Sequence, residues 1–406
     1  MNFEFFVAER LLKQEGRIFS RPIVKIATVS IALSIAVMLV SVGVLEGFKN
    51  QIKEKITGFT SHIHLLPYTI NYGDAAIPFT LSPNEKKDIL SIENVKRLEP
   101  YTLMAGSIKT EKDFHGVLLK GVAPNFDSEF FRQHLLEGEI PDYKKNDSRQ
   151  DVLISKNIAD KMLLKTGDKL RVYFFIEGNY RVRPFRVAGI YQTGLGDYDD
   201  QFVICNASVI QQLNKWQESQ YSGYEVKLKD FSKLQSSAQS IYHMLSQDKT
   251  VATIEDMEPN LFAWLDLLDS NVIIILILMT LVTIITACST LLTMTFEQTQ
   301  HIGILKSLGA STSSIIKIYM YKTVNITIKA MLLGNALALG IMYLQNRFRL
   351  IGLDQESYYL DSVPIEMDPW RIITVNVASM IICSLALLIP ARSISRISPI
   401  QSIKFD

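Results

Sequence analysis

Cysteine is scarce: three in 406 residues, at Cys205, Cys288 and Cys383, too few and too far apart for a disulfide framework or a zinc spacing. An excess of charge of one sign is also lacking. The 42 Lys and Arg against 41 Asp and Glu leave a formal net charge of +1, which gives no nucleic-acid footprint. No Gly-x-x-x-x-Gly-Lys-Ser/Thr occurs, so the loop that cradles nucleotide phosphates is missing. No Ser–His–Asp or Cys–His set stands at a recognisable spacing, and an enzyme is not expected. His62 and His64 would point to one side of a strand, as metal ligands do, but no third ligand is near. Neither a metal nor a cofactor is expected.

Apolar residues are what the chain has in quantity. They make up 48% of it, and mean hydropathy is +0.15, yet 20% of residues are charged. A protein that is part membrane and part globular satisfies both facts. Ile26 to Leu45 has no charge until Glu46, and twenty helical residues rise about 30 Å, enough to cross the hydrocarbon core. Asn271 to Phe296 and Ile372 to Ala391 are two further runs. Ala330 to Leu344 is shorter, with Lys317, Lys322 and Lys329 before it. Read as a helix from Ser314 to Gln345 with its basic end at the cytoplasmic interface, it makes the fourth span. The first run is longer than a signal-peptide core and is read as an uncleaved helix.

The fold class is therefore a multi-pass α-helical membrane protein with a large α+β domain inserted between its first and second spans. The segments are 1–22 (cytoplasmic), 23–45 (first span), 46–268 (extracytoplasmic domain), 269–296 (second span), 297–313 (cytoplasmic helix), 314–345 (third span), 346–368 (short outer loop), 369–390 (fourth span) and 391–406 (cytoplasmic tail). Orientation follows from Arg10, Lys13, Arg17, Arg21 and Lys25, Lys306 and Lys317, and Arg392, Arg396 and Lys404, which share one side when there are four helices.

Within 46–268, Leu170 to Phe175, a turn at Glu177-Gly178-Asn179 and Tyr180 to Val187 read as a hairpin, with a last strand at Val251 to Ile254. Helical patches fall at Pro83–Leu90, Ser155–Leu164 and Phe231–Leu245. Leu45, Phe48, Ile52, Ile56 and Phe59 recur at three- and four-residue steps, as do Leu261, Trp264 or Leu265, and Leu268. Periodicity alone fits two ordinary core helices as well; continuity with the membrane runs favours both flanking helices continuing outward as a paired stalk.

Glu297 to Ser311 reads as a short helix and a corner. Ile302, Leu305 and Leu308 line one face, Gly309 suits a left-handed stop, and Ser311 suits the next cap. Such a helix can dock in a partner's groove and transmit a push, or it can lie on lipid. This stretch resembles the coupling region of FtsX-like ABC transporter permeases, close to E-K-x-x-x-I-A-I-L-R-x-L-G-A-S. Glu297, Ile302, Ile304, Leu305, Leu308, Gly309, Ala310 and Ser311 match it, while Gln298 and Gly303 depart from it; with Lys306 these matching residues are the candidate ATPase-coupling set the resemblance implies. Pro390-Ala391, Pro399 and Phe405-Asp406 resemble the family's closing pattern. Glu46-Gly-Phe48, Gly58-Phe59, His62, Gly116 to Val122, Phe185 to Asp199 and Asn260-Leu-Phe262 are similar to the lipoprotein-releasing LolC/LolE type, with a MacB-like periplasmic core.

The resemblance implies a bacterial inner-membrane permease, without catalysis of its own, that takes lipoproteins from the outer leaflet and passes them to a periplasmic, LolA-like carrier. It implies a separate cytoplasmic, LolD-like ATPase and a second permease subunit, as homodimer or heterodimer. Extracting acyl chains costs about 0.8 kcal/mol per CH₂ exposed to water, so an apolar cavity is needed. Met38, Val42, Leu45 and Phe48 on the first helix and Trp264, Leu265 and Leu268 on the second are its candidate walls, or else simply pack within the subunit. The tight turn at Gly178-Asn179 leaves no room for the extended hook of the LolC subunit, which favours a LolE-like or hookless role. An unfused MacB-like efflux permease and an FtsX-like regulator of cell-wall hydrolysis are the rival readings.

Overall fold

The computed structural model describes residues 20–68, 77–109, 114–176 and 178–391. The basic residues before Ser20 and after Ala391, and the closing pattern at Pro399 and Phe405-Asp406, lie outside these. The chain divides into two units. One comprises 1–49, 264–352 and 362–406; the other comprises 50–263 and 353–361. The division falls inside two helices, α1 (Ser20–Thr60) and α2 (Pro259–Glu297).

Among the described residues, four helices are long and apolar enough to span a bilayer: α1, α2, α4 (Thr312–Phe348) and α5 (Pro369–Ala386, continuing as the turn Leu388–Ala391). Between α2 and α4 lies the short α3 (Thr299–Ser307). At about 1.5 Å per residue, the 41 residues of α1 and 39 of α2 rise about 60 Å each, twice the hydrocarbon thickness. The apolar stretches read from sequence are thus parts of longer rods. The first unit packs around Ile31, Ile35, Met38 and Leu39 of α1, Ala287 and Leu291 of α2, Ala330, Ala338 and Met342 of α4, and Leu387. Gly334 permits a close approach of α4 to the α1 backbone: a Cβ there would meet the Ala32 carbonyl oxygen at 2.5 Å. Asn335 and Asn376 exchange amide hydrogen bonds of 2.8 and 2.9 Å between α4 and α5, which suits an apolar medium that supplies no water. Lys317 and Lys329 are exposed, whereas Lys322 is fully buried.

The second unit is a ten-stranded mixed sheet with short helices. Its strands are β1 (Ile63–Pro67), β2 (Val95–Lys109), β3 (Phe114–Val122), β4 (Leu135–Gly138), β5 (Asp151–Ser155), β6 (Lys169–Ile176), β7 (Asn179–Tyr191), β8 (Phe202–Asn206), β9 (Gly223–Leu228) and β10 (Lys249–Thr253). The order is β10-β1-β9-β2-β3-β8-β5-β7-β4, with β6 pairing β2 and β7. Only β3–β8 and β5–β7 run parallel. The hairpin falls where the sequence placed it, with Ile176 opposite Asn179 and Gly178 at φ +77°. The core gathers alternating residues of β3, β5, β6, β7 and β8, among them Leu119, Ile154, Val172, Phe174, Phe185 and Val203. Interleaved strands and helices with mostly antiparallel pairing make the α+β class. Asn206, in an Asn-Ala-Ser pattern, is buried and caps the helix Ala207–Leu213 by accepting from the Ser208 amide.

Candidate functional site: the coupling segment and the long helices

The coupling segment is built by two caps and a small core. Ile302 is fully buried against Ile315 and Tyr319 of α4, with Leu305, Ala310 and Ile316 packed around them. The helix stops because the Leu308 amide donates to the Ile304 carbonyl and the Ala310 amide donates to the Leu305 carbonyl, with Gly309 between them at φ +89°. A side chain there would meet nothing within 4 Å, so glycine is required by conformation rather than by space. Ser311 then caps α4, accepting from the Ser314 amide at 3.1 Å.

The structure sorts the residues of this segment into two sets. Ile302 faces the chain's own α4, and Leu305, Ala310, Lys306 and Glu297 are half-buried. Ile304 (48% exposed) and Leu308 (79%) face away, as do His301, Gly309 and Ser311. Leu308 therefore does not share the face of Ile302. It forms, with Ile304 one helical step before it, an apolar pair that nothing in this chain covers among the described residues.

In the first unit, the outer part of α1 is tied to its neighbours. Lys49 meets Asp269 of α2 at 2.5 Å, and Glu46 meets Arg371 of α5 at 2.9 Å. Phe48 stands edge-on to Trp264, centroids 6.4 Å apart. Of the candidate cavity walls, Met38 lies in the bundle core, and Phe48 and Leu265 are buried within this chain. Val42, Leu45, Trp264 and Leu268 are half-buried and retain apolar surface. Along α2, Ile273, Ile274, Ile277, Leu278, Leu281 and Ile285 are exposed.

In the second unit, the end of α1 is embedded. Ile52, Ile56 and Phe59 are buried, and Phe59 sits among Phe130, Phe131, Tyr198 and Phe202. The last carbonyls of a helix carry partial negative charge and lack intrahelical donors. Here Lys120 donates to the Phe59 carbonyl at 2.7 Å, and Lys227, at 2.6 Å, joins the Ser61 amide on the Thr57 carbonyl. Lys120 also pairs with Glu225 at 2.7 Å, with side chains only 5% and 9% exposed. Burial raises the Glu225 carboxyl pKa, and the neighbouring Lys120 opposes that shift. Burial, with a smaller push from nearby charge, draws Lys227 down to about 8. Sequence reasoning passed over both lysines. The available signal was Lys120 standing as the one charge in the apolar strand Val117 to Val122.

His62 and His64 are both buried, and both serve the sheet. His62 Nδ1 accepts from the Leu228 amide, and His64 Nδ1 lies 3.3 Å from the Tyr101 hydroxyl. Burial first, then Lys227 and Lys120 respectively, lowers each imidazole to about 3. Among the described residues no three His, Cys, Asp or Glu side chains gather as a metal site. Arg186, on the face of β7 opposite Arg181 and Arg183, forks onto Asp151 with two bonds of 2.7 Å.

A set of helices apolar enough to span a bilayer, with an α+β domain inserted after the first, defines a multi-pass membrane protein with a globular domain. Residues 26–244 match the model of the MacB-like periplasmic core domain, and residues 273–399 match that of the FtsX-like permease C-terminal region. The chain belongs to the family of FtsX-like permeases that carry a MacB-like periplasmic core domain. The lipoprotein-releasing system transmembrane protein LolC of Neisseria meningitidis serogroup B is 21% identical over 429 residues, covering 100% of both chains. The corresponding LolE protein of Haemophilus influenzae is 21% identical and covers 99% of both. Among solved structures, the periplasmic region of MacB from Actinobacillus actinomycetemcomitans covers 52% of this chain and 97% of its own, at 16% identity and a TM-score of 0.36. The protein is an ABC-type permease with a periplasmic domain, similar over its whole length to the Lol type.

Proposed function

We propose that this chain is a permease subunit of a lipoprotein-releasing complex in the bacterial inner membrane. It extracts acylated proteins from the outer leaflet and hands them to a periplasmic carrier. A separate cytoplasmic ATPase drives the cycle and docks on the Ile304–Leu308 side of the coupling segment. The movement passes along α1 and α2 to the periplasmic domain. Both termini and α3 are cytoplasmic, and the chain works as a dimer with itself or with a second permease.

The observation that carries this reading is whole-length similarity to lipoprotein-releasing subunits, combined with two helices about twice as long as a bilayer needs. Helices of that length continue from the apolar spans into the globular part of the chain. The half-buried Val42, Leu45, Trp264 and Leu268 supply this subunit's share of an apolar enclosure completed by its partner. The tight Gly178 turn, which lacks an extended hook, favours the LolE-like role.

Depletion tests it. Loss of the subunit is expected to strand acylated proteins in the inner membrane. Normal lipoprotein sorting with raised drug sensitivity alone would instead favour an export permease, the class of the MacB 2 relative from Yersinia pestis that is 24% identical over 264 residues.

A further inference from the structure

The connection between α4 and α5 is divided between the two units: residues 353–361 belong with the globular domain. The Leu353 amide donates to the Asp361 carbonyl at 2.9 Å and closes this segment into a loop, with Leu360 buried. Inside it, Tyr359 adopts φ +61°, ending the turn Gln355–Tyr358 and turning out its carbonyl. Lys55 of α1 grips that carbonyl at 2.7 Å, and with the same ammonium grips the Thr193 carbonyl, also at 2.7 Å.

The Thr193 side of this joint is equally fixed. Asp199 is buried, and it accepts from the Thr193 amide at 3.0 Å, the Thr193 hydroxyl at 2.8 Å and the Gly194 amide at 2.9 Å. That carboxylate builds the turn which presents Thr193 to Lys55. Gly194, at φ +77°, is packed so closely by Gln355 that a Cβ would collide with its side-chain amide, and Gln192 donates to the Gln355 side chain at 3.2 Å. Burial lowers the Lys55 pKa, and Asp361 and Asp199 work against that shift. The Phe185–Asp199 stretch, singled out in the sequence but given no role above, thus forms one jaw of a clamp.

We propose that Lys55 is a positioning residue that binds the 353–361 loop and the 193–195 turn to α1, so that the α4–α5 connection moves with the domain as a third mechanical link beside α1 and α2. The role in transmission rests on the release function proposed above; the joint itself does not. A charge-assisted donor to two carbonyls is worth more than a neutral one, and its removal frees the loop to open locally.

Lys55→Met and Lys55→Arg in the full complex test this by hydrogen exchange and by release per ATP hydrolysed. In Lys55→Met, amides of 353–361 are expected to exchange at least about tenfold faster while those of β5 and β8 keep their protection. Release per ATP should fall about tenfold, with ATP hydrolysis retained, and Lys55→Arg should restore both. Unchanged exchange in 353–361 would overturn the joint. Faster exchange with unchanged release per ATP would overturn its part in transmission. A wild-type complex that releases no lipoprotein would count against the proposed function alone, since the exchange measurement still decides the joint.

Discussion

The coupling segment and the far end of α1 hold their helices in opposite ways. Around α3 the packing is a small apolar cluster: Ile302 and Leu305 against Ile315, Ile316 and Tyr319 of α4, and a glycine corner. At Thr57–Phe59 the helix end is locked by two lysine–carbonyl bonds, a buried ion pair and a ring of aromatics. Small apolar contacts can shift with little loss, because dispersion is non-directional. Buried charged hydrogen bonds cannot, because each broken one leaves a desolvated group behind. On the function proposed above, the input end is left adjustable while the output end is welded.

The largest way to break that contrast is at the weld. Lys120→Met leaves Glu225 buried without its cation and is expected to destabilise the domain by about 3–5 kcal/mol. Thermal unfolding of the purified chain measures it, and adding Glu225→Leu should recover much of the loss. Acid acts on the same region. His62 and His64 have folded pKa values near 3 against 6.5 in the unfolded chain. The unfolded state therefore binds more protons as pH falls, so their stabilisation is complete above about 6.5 and declines toward 3. His64→Leu should flatten the slope of unfolding free energy against pH in that window by about one proton.

At the adjustable end the effects on stability are smaller. Gly309→Val forces a β-branched residue into the left-handed region, at about 1–2 kcal/mol, and should misdirect the corner enough to uncouple ATP hydrolysis from release. Away from both ends, on the outer part of α1, Lys49→Met removes a partly exposed pair and should cost no more than about 1 kcal/mol, read by thermal unfolding. Leu308→Glu should change stability by less than about 0.5 kcal/mol while abolishing coupled release, since an exposed side chain has nothing of its own chain to lose. Equal stability losses for Lys120→Met and Leu308→Glu would erase the contrast.

Much of the architecture was legible because hydropathy and helical period are local signals. Four spans, the inserted α+β domain, the hairpin at Gly178 and the run of Phe48, Ile52, Ile56 and Phe59 beyond the apolar stretch all follow from neighbours in sequence. Leu308 was misplaced for a geometric reason. A strict three-residue step slips about 60° per step around a helix of 3.6 residues per turn, so Leu308 lies about a third of a turn from Ile302. The lysine clamps were not legible at all. Lys120 meets Glu225 across 105 positions and Lys55 meets Tyr359 across 304, and no periodicity reports pairs that only the sheet topology and the α4–α5 loop bring together.

The relay requires α3 and the domain to lie on opposite sides of the bilayer, and single-cysteine labelling decides this. His301 and Tyr180 are both exposed, while Cys205 and Cys383 are buried and Cys288 is half-buried. In intact cells stripped of the outer membrane, an impermeant maleimide should label Tyr180→Cys and leave His301→Cys untouched until the membrane is opened. Labelling of both from the outside would contradict the account.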